Sequence, residues 1–116
     1  MASKRTFTAQ NRNIGPHELG GWTTTTPGLV IAKVEPTGRW RIFHGPSGLA
    51  VYESWRLRAD AAHAAELLSD LADWTLEAWE VVVPGLVEKT KQAVSGWYLD
   101  CLARDARKLE EKRKVA

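Results

Sequence analysis

Few residues of this chain have types and spacing that could do chemistry. His44 and Ser47, in the run FHGPSG, place an imidazole near a hydroxyl. A nucleophile activated in this way needs an acid to orient the histidine. No acid stands at a suitable position, so His44 reads as a strand-end histidine that is capped or half-buried. His63, Glu66 and Asp70 fall at i, i+3 and i+7 of a helical run. One imidazole and two carboxylates could hold a metal, yet acids on a solvated helix face account for them more simply. His17-Glu18 has no second histidine at helical spacing after it, and neither a phosphate-binding glycine loop nor a paired-carboxylate cleft is present. The expectation is a binding module rather than an enzyme, with no catalytic residue, no metal ligand and no cofactor.

The residues that point to a partner are basic and aromatic. Lys33, Arg39, Arg41, Phe43, Tyr52, Arg56 and Arg58 lie within Leu29 to Arg58, LVIAKVEPTGRWRIFHGPSGLAVYESWRLR. This stretch reads as three short strands joined by two turns, Pro36-Thr37-Gly38 and Gly45-Pro46-Ser47-Gly48. Side chains alternate along a strand, so parity divides the sheet into two faces. Val30, Ala32, Val34, Trp40, Ile42, Val51, Trp55 and Leu57 form the expected core face. The basic and aromatic set forms the other, together with Glu35. Arginine pairs with phosphate or a guanine edge, and an aromatic ring fills a groove or stacks, so that face suits duplex DNA. A solvated sheet face carrying arginine and lysine to guard against edge pairing has the same composition.

Elements that would position this face follow from the flanking sequence. Residues 1–21 include Lys4, Arg5 and Arg12 among scattered apolar residues, with Gly15-Pro16 and Gly20-Gly21 as breakers, and read as a flexible basic arm. Trp22 and the four threonines after it could add a short edge strand. The run ADAAHAAELLSDLADWTLEAWE reads as a helix from Ala59, with Ala61, Ala64, Ala65, Leu68, Leu71, Ala72, Thr75 and Trp79 on one stripe. Asp60 is a candidate N-cap or first-turn residue. Pro84-Gly85 closes that helix, and a second one runs from about Leu86 with Val87, Val94, Trp97, Tyr98, Cys101, Leu102 and Leu109 along its apolar side. Ser95-Gly96 lies inside it. The expected fold is α+β: a three-stranded antiparallel meander packed on a helix, followed by a second C-terminal helix. Residues 22–103 make a single domain and 104–116 a charged helical tail.

Charge is segregated along the chain. Residues 1–58 hold eight basic and three acidic side chains, residues 59–88 seven acidic and no basic, and residues 89–116 eight basic and four acidic. A near-neutral protein, formally +2, can thus present fields of both signs. No run of apolar residues is long enough for a transmembrane helix, and the N-terminus lacks the apolar core of a secretory signal. With one cysteine, Cys101, no internal disulfide forms. A cytoplasmic protein is expected.

In GRWRIFHGPSGLAVYESWRLRADAAHAAELL, about a quarter of the chain, the element order and the placement of Arg and Trp resemble the small sheet-plus-helix DNA-binding domains of AP2 type and the arm-binding domains of tyrosine recombinases. The resemblance implies that Arg39, Arg41, Arg56 and Arg58 enter a major groove while the helix braces the sheet. An acidic first helix and a second helix depart from that pattern. The composition and the H-x-PSG turn also resemble short accessory proteins of actinobacterial phages. A different function fits the six tryptophans. Trp74, Trp97 and Tyr98 have the types enriched in interface hot spots, which would suit an inhibitor or adaptor that binds a host protein, or a second copy of the chain.

Overall fold

The computed structural model describes residues 2–10, 15–77 and 85–115. A five-stranded antiparallel sheet runs in sequence order: β1 (Lys4–Ala9), β2 (His17–Thr23), β3 (Leu29–Val34), β4 (Arg39–His44) and β5 (Ala50–Trp55). Among the described residues two helices follow, α1 (Arg58–Leu67) and α2 (Leu86–Val115). The α+β class is as expected, but the sheet has five strands rather than three. The segment read as an arm supplies β1 and most of β2. Its composition gave little sign of this. Phe7 and Ala9 are the only buried positions of β1, and the strand is fixed by pairing from Lys4↔Trp22 to Ala9↔His17. Gly20-Gly21, which look like breakers, lie inside β2. A Cβ on Gly21 would come within 2.7 Å of the Ile31 carbonyl oxygen, so the glycine allows the backbone to approach closely.

The sheet curls. Gln10 N–H donates to the Gly48 carbonyl at 2.9 Å, and the Phe7 and Phe43 rings lie 5.1 Å apart. The end of β1 therefore reaches the β4–β5 turn and encloses a hollow. Two apolar clusters result. Leu29, Ile31, Ile42, Val51 and Trp55 meet the helices on the convex side. Phe7, Ala9, Val30, Ala32 and Phe43 fill part of the hollow, with Leu19, Val34 and Ala50 beside them.

This arrangement corrects the expected faces. Val30, Ala32 and Val34 point into the hollow, whereas Leu29 and Ile31 meet the helices. Leu29 through Ala32 are all buried. A strand covered on both sides has no hydrophobic alternation, so its parity cannot be read from the sequence. On β4 the parity is as expected: Ile42 and Trp40 face the helices and Phe43 faces away. On β5 it is interrupted rather than reversed: Val51 and Trp55, on either side of an irregularity, both face the helices as expected. Ile42 pairs with Val51 and Arg41 with Ser54, so one step on β4 corresponds to three on β5. Tyr52 and Glu53 are the extra residues, and Tyr52 adopts a left-handed φ of 67°.

The first helix is shorter than its composition predicts. It ends at Leu67, where the N–H of Leu68 donates to the Ala65 carbonyl and the N–H of Ser69 to the Glu66 carbonyl, both at 3.2 Å. Residues 68–77 form turns instead of continuing to Glu80, and residue 79 lies outside the described residues. Packing explains the stop. Trp74 folds back, donates its indole N–H to the Leu68 carbonyl at 2.8 Å and is 1% exposed. Ala61, Ala64, Ala65 and Leu68 are fully buried, as their stripe predicts. The Thr26 hydroxyl ties the β2–β3 loop to the Ala65 carbonyl at 2.7 Å.

Candidate functional site

On β4, alternation places Arg39, Arg41 and Phe43 on the same side, but the three meet different surroundings. Arg39 donates through Nε to the Ser54 hydroxyl and through Nη2 to the Ser54 carbonyl, both at 2.8 Å. Arg41 donates through Nη2 to the Tyr52 carbonyl at 2.7 Å. Both guanidinium groups thus clamp the irregular part of β5. Phe43 is buried in the hollow. Tyr52 lies on the opposite side of the sheet, because the bulge turns it toward α2, with its ring 5.4 Å from Tyr98 and 6.0 Å from Trp55. Burial, then the neighbouring Tyr98 and Glu53, raises its phenol above the ordinary range.

The remaining basic residues of the expected set also separate. Lys33 pairs with Trp40 across the β3–β4 ladder. Arg56 reaches Asp105 of α2 at 3.0 Å. Arg58, at the start of α1, lies over the Trp22 ring at 4.7 Å and 6.0 Å from the Trp40 centroid, and Lys4 is 5.6 Å from the Trp22 centroid. These are cation–π contacts at a surface. They border a cleft of about 460 Å³ that Thr23, Thr24, His63 and Glu66 also line. The basic and aromatic residues expected on one face are therefore divided among the β5 bulge, the hollow and the helix side.

The aromatic residues expected at an interface are largely used inside the molecule. Trp74 is core. Trp97 donates to the Asp60 carbonyl at 3.0 Å, and its ring meets His63 at 4.5 Å. Tyr98 packs edge-on against Trp55 and Tyr52. His63 is also 3.9 Å from Glu66, and among the described residues no three His, Cys, Asp or Glu side chains are grouped to hold a metal. His44 is buried at the strand end, with Nδ1 2.6 Å from the Ser47 hydroxyl and 3.3 Å from the Ser47 N–H, as a local cap.

An ion-pair network joins the helices. Asp60, buried in the first turn of α1, accepts both Nη atoms of Arg104, and Arg104 also bonds Asp105. Hydrogen bonds to Asp60 and Asp105 hold Arg104 firmly charged. Burial alone would raise the Asp105 carboxyl, but Arg56 and Arg104 outweigh it and hold it below its ordinary range. Beside this network, burial and then Asp60 push the Cys101 thiol up to about 11, which leaves it unreactive. Asp60 reads in sequence as a helix-start residue, and nothing in the spacing linked it to Arg104, 44 positions later.

The surface that sequence reasoning missed is on α2. Glu88, Gln92, Ser95, Leu99, Leu102, Ala106, Leu109 and Arg113 recur at alternating steps of four and three. Leu99, Leu102 and Leu109 are 62%, 39% and 54% exposed, and all of this row except Ser95 is open to solvent. The other stripe, Leu86, Thr90, Val94 and Cys101, is buried against the body. The heptad spacing was present in the sequence, but Leu102 and Leu109 read as part of the core stripe. Residues 106–114 are exposed on every side.

No known protein family, curated protein or solved structure matches this chain. Among the described residues, no helix is long and apolar enough to cross a membrane.

Proposed function

We propose that this chain is a small non-enzymatic interaction module whose partner is a second copy of itself, bound along the solvent face of α2. The single observation that carries this reading is the exposed row from Glu88 to Arg113 at heptad spacing. Its charges select the orientation. In a parallel pair Glu88 would face Glu88 and Arg113 would face Arg113. In an antiparallel two-fold pair, Glu88 meets Arg113, Leu99 meets Leu102, and Ser95 meets Ala106. Small residues then let the helices approach, and the leucines leave water at the centre. An isologous contact of this kind closes on itself.

Duplex DNA is less well supported, because the seven residues expected to bind it do not all share one surface and Arg39 and Arg41 are engaged with β5. Sedimentation equilibrium tests the proposal. The full chain should dimerise, and Leu99→Glu should leave a folded monomer. A monomer at all accessible concentrations overturns the reading. A salt-sensitive mobility shift on duplex DNA that is lost on replacing Arg56 and Arg58 would favour the nucleic-acid function instead.

A further inference from the structure

The hollow of the curled sheet has features that its role as a second core does not explain. A cavity of about 320 Å³ opens there, at the lower end of the range that holds small ligands. Leu19, Val34, Phe43 and Ala50 give it apolar walls, and Arg41 lines it as well. The Nε of Arg41 is buried and has no acceptor among the described residues, although Nη2 is fixed on the Tyr52 carbonyl. Buried guanidinium donors are ordinarily satisfied, and one left unpaired on a residue that lines a cavity calls for an explanation. The acceptor of that fixed bond belongs to Tyr52, held at a left-handed φ that a non-glycine residue adopts at a cost. The bulge thus positions the guanidinium, and its Nε is left as a buried donor without an acceptor among the described residues.

We propose that this hollow binds a small monocarboxylate with a short apolar tail. The carboxylate accepts from the Arg41 guanidinium, and the tail lies against Leu19, Val34 and Phe43. Charge sets the class. Besides Arg41, the cavity is lined by two exposed charged residues, Lys33 and Glu35, and by His17. With His17 counted as neutral, Arg41, Lys33 and Glu35 carry a net single positive charge, which matches one negative charge better than two, and the glutamate disfavours phosphate. A charge-assisted hydrogen bond in a partly desolvated site is stronger than a neutral one and supplies the selectivity. This site is separate from the α2 surface and stands whether or not the chain self-associates.

Hexanoate is a suitable probe, with hexanol and inorganic phosphate as controls, read by amide chemical shifts of the full chain. Hexanoate should give saturable shifts at Leu19, Arg41 and Phe43. Hexanol and phosphate should bind at least tenfold more weakly. Arg41→Lys keeps the charge but loses the planar fork and should weaken hexanoate by roughly tenfold. Leu19→Trp, at a half-buried position, should fill the hollow and abolish binding with the fold intact. Equal affinity for hexanoate and hexanol, equal affinity for phosphate, or no saturation with hexanoate would each overturn the proposal.

Discussion

At the scale of single residues, glycines and charges decide local outcomes for different reasons. Gly28 has φ of +93°, and a Cβ there would come within 2.1 Å of the Trp74 carbonyl oxygen. Gly38 has φ of +70°, yet its nearest neighbour would be the flexible Lys33 side chain at 3.5 Å. Gly38→Ala should therefore cost only the left-handed strain, about 1 kcal/mol. Gly28→Ala adds backbone overpacking and should cost about 2 to 5 kcal/mol in urea unfolding. Asp105 sets a pH dependence. Its folded carboxyl is held below the usual range, so its contribution to stability is complete above about pH 4. That contribution is lost as pH falls through the lowered folded value. Arg56→Ala removes one of its cations and should reduce the loss of melting temperature on acidification. An unchanged acid slope would show that the pairing does not contribute.

At the scale of elements, the sequence was legible where one face is buried and the other is wet. The alanine stripe of α1 is such a case, and on β4 the facing of Trp40 and Ile42 also agrees with the periodicity, although Ile42, Phe43 and His44 are all buried. It was not legible on β3, covered on both sides, or at the β5 bulge, where two extra residues turn Tyr52 to the helix side while Val51 and Trp55 keep the expected face. That bulge undid the expected basic face, because it moved Tyr52 to the helix side and gave Arg39 and Arg41 carbonyls to hold. The end of α1 was hidden for another reason. Helix propensity is a small local preference, and the burial of one large side chain outweighs it. Trp74 supplies that burial from a turn, between the β2–β3 loop and His44. Trp74→Ala should therefore destabilise the protein by about 3 to 5 kcal/mol. Circular dichroism in the folded state should show little loss of helix, since residues 68–77 are already non-helical. A gain of helix in this variant would indicate that the tryptophan alone holds the segment out of α1.

At the scale of the whole molecule, a helix of 30 residues spans about 45 Å, close to the 49 Å longest dimension of the protein. Only part of it packs on the sheet and α1, and the last turns project beyond the Asp60–Arg104 anchor. In the antiparallel pair, two-fold symmetry forms the Glu88–Arg113 contact twice. Exposed ion pairs contribute about 0.2 to 1 kcal/mol each, so reversing one member at both ends changes attraction to repulsion by about 1 to 4 kcal/mol in total. Since 1.4 kcal/mol is tenfold in affinity, Glu88→Arg should weaken dimerisation by roughly tenfold or more, and Arg113→Glu by a similar factor. Combining the two restores opposite charges at each end and should recover the original dissociation constant. The same measurements at high salt should show smaller differences, because exposed pairs are screened. A parallel pair predicts another result, since in it neither single reversal relieves like-charge contacts and the double variant gains nothing. Additive losses in the double variant would rule out the antiparallel register even if the protein proved to be a dimer.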